Sequence, residues 1–81
     1  MTWFEAEQIE VYLDRIESLL DEWRLEPFQM RIESAELSRA VRQVETVSND
    51  DTINPLMRRY MSELRRRIYF CRNQIQERLK R

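Results

Sequence analysis

The chain contains no glycine in 81 residues. Glycine is the residue that enters left-handed and other positive-φ backbone without a steric cost. A chain without it has few tight hairpin turns at its disposal. It is also excluded from phosphate-binding loops of the P-loop and Rossmann types, where the backbone must approach the ligand closely. With only two prolines and an abundance of Glu, Arg, Leu and Gln, the composition predicts helices joined by short connections.

Three amphipathic segments carry that expectation. Thr2-Trp3-Phe4-Glu5 fits a capping box. Behind it Ile9, Leu13, Ile16, Leu20 and Trp23 recur at alternating spacings of four and three, which predicts a helix over about 3–25. Met30, Leu37, Val41 and Val44, with Ser34 in the gap, predict a second helix over about 27–47. Its register continues that of the first straight through Pro27. Pro27 therefore either opens a second helix or kinks one long rod. The polar stretch 48–54 reads as a loop, with Asn54 as N-cap and Pro55 at the first position of a third helix over about 55–80. There Met57, Met61, Leu64, Ile68, Cys71 and Ile75 form the stripe. The fold class is all-α: a three-helix bundle or a kinked helical hairpin with coiled-coil-like heptad packing, in one domain.

A chain of this length buries only about 60–65% of its unfolded surface, so small scaffolds commonly add disulfides, metals or oligomerisation. One cysteine, Cys71, and no histidine leave neither an internal disulfide nor a zinc site of the usual kind. Oligomerisation is the expected route, with a dimer or a helical protein partner favoured. No cofactor, metal site or catalytic residue is expected. Histidine, the commonest general base, is missing, Cys71 falls on the core stripe, and Asp50-Asp51 lacks the spacing of a calcium loop. An enzyme is not expected. The start of the sequence does not read as a signal peptide and its apolar runs are short, so a reducing, cytoplasmic setting is expected and a membrane role is not.

The net charge of −1 conceals a split. Residues 1–51 carry thirteen acids against five arginines, a balance of −8, whereas residues 52–81 carry nine bases against two acids, a balance of +7. Thirteen of the fourteen bases are arginine. Arg58, Arg65 and Arg72 share one heptad position flanking the third stripe and Arg67 flanks the other side, so these arginines are expected to meet acids of the protein's own helices. Antiparallel pairing of the second and third helices brings Glu33 opposite Arg67. Glu10 and Glu17 match the Arg58, Arg65 and Arg72 set only if the first and third helices run antiparallel. Arg59 and Arg66 lie outside the stripe and are left for an acidic partner. The rival reading takes Arg58, Arg59, Arg65, Arg66 and Arg67, interleaved with Tyr60 and Tyr69, as nucleic-acid contacts.

Apolar residues off the stripes point to an interface. Phe4, Val11, Leu25 and Ile32 fall at one heptad position opposite the stripe, Tyr12 and Leu19 widen the stripe, and Tyr69 and Phe70 carry the apolar surface of the third helix round its circumference. The function read from the sequence is a non-enzymatic interaction module of the adaptor, secretion-chaperone, regulator or assembly-factor kind, with a nucleic-acid-binding regulator as the alternative.

Overall fold

The computed structural model describes residues 2–80. It contains three helices, α1 (Trp3–Asp21), α2 (Pro27–Ser48) and α3 (Pro55–Leu79). Each begins where its cap chemistry dictates. The Thr2 hydroxyl accepts the Glu5 backbone N–H at 3.1 Å, and the Asn54 side chain accepts that of Leu56 at 2.7 Å ahead of Pro55. Helix α2 starts from a capping box that the sequence reading passed over. Glu26 is the N-cap, Pro27 takes the first turn, and the Gln29 side chain accepts the Glu26 N–H at 3.1 Å.

The single kinked rod is not what forms. Helix α1 stops at Asp21, four residues before the expected end, and the chain reverses through Glu22–Glu26. The Arg24 N–H reaches back to the Leu19 carbonyl at 3.0 Å and the Trp23 N–H to that of Leu20 at 3.2 Å. This is a Schellman arrangement, whose pivot residue must be left-handed and is usually glycine. With no glycine to supply it, the pivot is Trp23, at φ 56°. Trp23 therefore leaves the stripe and is exposed, and the shared register of the first two helices is a coincidence of sequence.

Contacts fix the topology as up-down-up. Trp3 stacks on Tyr60 with ring centroids 5.5 Å apart. Arg67 reaches Asp14 and Glu17, and Arg78 lies 3.7 Å over the Trp23 ring. Helices α1 and α3 thus run parallel. Arg65 pairs with Glu45, and Arg58 donates to the Asp50 carbonyl, which makes α2 and α3 antiparallel. Helix α3 packs on both others, most extensively on α2. The bundle measures 42 × 19 × 15 Å.

The core joins the three stripes: Ala6, Leu13, Ile16 and Leu20 of α1, Met30, Leu37, Ala40, Val41 and Val44 of α2, and all six expected residues of α3. Leu25, in the connection, closes its end and is buried rather than presented with Phe4 and Val11. No polar or charged residue among those described is fully buried. Burial of each large aliphatic side chain is worth about 1.5–3 kcal/mol, so this seam supplies the main stabilisation.

Candidate interaction surfaces

A three-helix prism has three long faces, and side-chain contacts assign the surface residues to them. On the α1–α2 face, the Tyr12 hydroxyl donates to Glu33 at 2.6 Å, and Arg15 lies over the Tyr12 ring while approaching the same carboxylate at 3.6 Å. Burial, followed by the Glu33 carboxylate, drives the Tyr12 phenol far above its ordinary range. Leu19, on the same side of α1, is half-buried against the core. One position from Tyr12, about 100° round the helix, Val11 is 67% exposed, and Phe4, two turns earlier, is 66% exposed. On α2 Ile32, beside Glu33, is 54% exposed, and Phe28, one turn before it, 61%. Towards the Phe4 end the two helices leave an open cleft lined by Gln8, Ile9, Tyr12, Glu36, Ala40 and Gln43. The sequence groups Phe4, Val11 and Ile32 at one heptad position of a register shared by the first two segments. All three are exposed, and so is Phe28, which that grouping left out.

The α1–α3 face is ionic at its centre and aromatic at its ends. Arg67 donates to Glu17 at 2.8 Å and to Asp14 at 2.6 Å. Its pKa is pushed further up by the Glu17 hydrogen bond first, against the opposing effect of burial. The expected Glu33–Arg67 pair is absent, because Arg67 turns to α1 and Glu33 is taken by Tyr12 and Arg15. The parallel run of α1 and α3 likewise separates Glu10 from Arg58, Arg65 and Arg72, as an up-down-up order requires. Glu10 instead adds to burial in raising the Tyr60 phenol. Phe70 is exposed and stands between two hollows, one lined by Glu17, Leu20, Asp21 and Arg66, the other by Trp23, Asn73 and Arg78.

On the α2–α3 face Tyr69 is half-buried, and its hydroxyl donates to Glu45 at 2.9 Å beneath the Arg65 guanidinium. These bonds, Tyr69 first and Arg65 second, hold the Glu45 carboxyl below its ordinary range. Arg58, Arg65 and Arg72 repeat every seven residues along this side of α3. Arg59 and Arg66 form no hydrogen bond or ion pair with any described residue. The arginines proposed together as a nucleic-acid patch are thus parted: Arg58 and Arg65 face α2, Arg67 is engaged with α1, and Arg59 and Arg66 point outward.

Among the described residues no group of three or more His, Cys, Asp or Glu side chains is placed to hold a metal ion. Nor is any helix among them long and apolar enough to cross a membrane. Cys71 is buried, and burial pushes its thiol up to about 11, away from the thiolate a nucleophile needs. Asp50 accepts both the backbone N–H and the hydroxyl of Thr52, at 2.9 and 2.7 Å, and so ties the loop before α3. No protein-family model matches the chain, nor does any curated protein or solved structure.

Proposed function

We propose that the protein is a small, non-enzymatic helical interaction module that self-associates through its α1–α2 face. The observation behind this reading is that Phe4, Val11, Phe28 and Ile32 are all more than half exposed while the core closes without them. Single exposed apolar residues are ordinary, but a group on one face of a small domain marks an interaction surface. The face also adjoins the open cleft between the two helices that meet least closely. A second copy laid across it covers apolar side chains on both partners, which supplies the burial that a domain of this size has difficulty finding alone.

Size-exclusion chromatography with light scattering on Val11→Asp combined with Ile32→Asp tests the reading. The wild type is expected to run above monomer mass and the double variant as a monomer with unchanged helicity. A double variant that keeps the wild-type mass removes this face from the interface.

A further inference from the structure

Folding sorts the charges differently from the sequence. The acid-rich first half and base-rich second half do not become two charged ends. Arg42 lies three residues before Glu45, and Arg31 lies three turns before Arg42 on the same side of α2. Glu45 pairs with Arg65 of α3, so both α2 arginines border the side on which α3 carries Arg58, Arg65 and Arg72. These five arginines, all exposed except the half-buried Arg72, form two neighbouring basic lines. From Arg58 to Lys80 the row extends about 33 Å along α3, with about 10 Å between successive arginines at seven-residue spacing.

The acids turn elsewhere. Glu33 and Glu36 of α2 face α1. Glu63, four residues before Arg67, lies on the α1 side of α3, and Asp14 and Glu17 of α1 are across the bundle. On α2 Glu45 sets a carboxylate within the basic rows, and Arg65 and Tyr69 already occupy it; at the loop end the Asp50 carboxylate lies near Arg58 and is taken by Thr52. Arg72 is half-buried and forms no ion pair with a described residue.

We infer that the α2–α3 face binds the phosphate backbone of a nucleic acid without reading its sequence. Two further features favour phosphodiester over an acidic protein or a lipid surface. None of the large exposed apolar side chains flanks Arg58, Arg65 or Arg72 on this side; on α2 Phe28 and Ile32 adjoin Arg31 only, at the edge of the face. A protein interface centres on buried aromatic or aliphatic anchors, and a surface helix on a membrane needs an apolar face to insert. Instead Ser34, Ser38, Ser62 and Gln76 intersperse the arginines, and hydroxyl and amide groups of this kind join arginine in contacts to phosphate oxygens. Apart from Arg31, which borders Phe28 and Ile32, the site is separate from the proposed self-association face, so a dimer would present two such surfaces.

The test is fluorescence anisotropy with random-sequence duplex DNA and single-stranded RNA of equal length at several salt concentrations, using polyglutamate as competitor. Arg31→Glu with Arg42→Glu should weaken binding by tenfold or more and lower the salt slope by about two. Arg24→Glu with Arg59→Glu changes the net charge equally but leaves this face intact, and should alter affinity by no more than about twofold. The nucleic acid that binds more tightly identifies the source of the phosphate. Equal losses in the two double variants, or no binding of either nucleic acid at low salt, would overturn the inference. So would polyglutamate displacing nucleic acid at equal charge concentration, since the face would then recognise acidic chains in general. Light scattering on the same samples reports self-association separately, so a failure on either count leaves the other legible.

Discussion

Helix α1 and the α2–α3 pair are held by different means. Helices α2 and α3 meet along a close apolar seam, and their polar contacts, Arg65–Glu45 and Arg58 to the Asp50 carbonyl, lie at its margin. Helix α1 buries four side chains, yet much of what fixes its position is polar or aromatic: the Arg67 fork to Asp14 and Glu17, Tyr12 to Glu33, and the Trp3–Tyr60 and Arg78–Trp23 stacks. Apolar packing resists disruption mainly through burial, whereas hydrogen-bonded and ionic ties respond to protons and salt. The comparison therefore implies that α1 is the helix whose attachment solution conditions change most readily.

The largest effect should come from cutting the shared seam. Ile68→Ala removes a wholly buried side chain of α3 and should cost about 2–5 kcal/mol, lowering the midpoint of a urea melt for all three helices together. Arg67→Ala should cost about 1–2 kcal/mol, a modest figure because its partners are partly solvated. Amide hydrogen exchange should show the loss concentrated in α1. Uniform acceleration across the three helices would mean that α1 is not separately moored.

The pH response should differ between the two regions. The phenols that tie α1, Tyr12 and Tyr60, have pKa values raised from 10.0 by folding, chiefly through burial. The folded protein holds those protons more tightly than the unfolded chain does. Their stabilisation is complete below pH 10.0 and declines as the pH rises past it. Cys71, raised from 9.0 to about 11, begins the same decline one unit earlier. Glu45 and Asp50 have lowered values, so their contribution at the α2–α3 margin is present at neutral pH and is lost as acid protonates them below about pH 4. Thermal melts of Tyr12→Phe should show a shallower alkaline decline, and those of Glu45→Gln a shallower acid decline. Interchanged results would reverse the assignment.

The smallest effect concerns the turn that ends α1. Left-handed backbone costs a residue with a Cβ about 1–2 kcal/mol, and Trp23 recovers part of that through Arg78. Trp23→Ala keeps the steric cost and loses the stack, whereas Trp23→Gly relieves both the clash and the need for compensation. The glycine variant should melt above the alanine variant by a difference of about 1 kcal/mol.

The core was the most legible part of the sequence. The α3 stripe from Met57 to Ile75 is buried at every expected position, because a spacing of alternating three and four has one packing solution on a helix. What the spacing could not carry was the end of α1. A Schellman turn is normally announced by glycine, and with tryptophan in its place the turn resembled a continuation of the stripe. Extending α1 to about residue 25 carried Leu25 to the surface, and the shared register kept a single kinked rod open beside the three-helix bundle that forms. The charge pairs were also beyond the heptad pattern. Glu33 and Arg67 sit at suitable positions for a two-helix contact, but a third helix offered Arg67 two carboxylates and gave Glu33 a phenol. Seeing that Arg31 and Arg42 border Arg65 and Arg72 required the α2–α3 pairing itself, since the four are distributed over two segments of opposite net charge.

Self-association through the α1–α2 face is the central claim, and sedimentation equilibrium of the wild-type chain from low to high micromolar concentration tests it most directly. The account predicts a mass that rises with concentration towards twice 10.1 kDa, and a Phe4→Asp, Val11→Asp variant that stays at the single-chain mass throughout. A wild type that remains at single-chain mass over the whole range would contradict it.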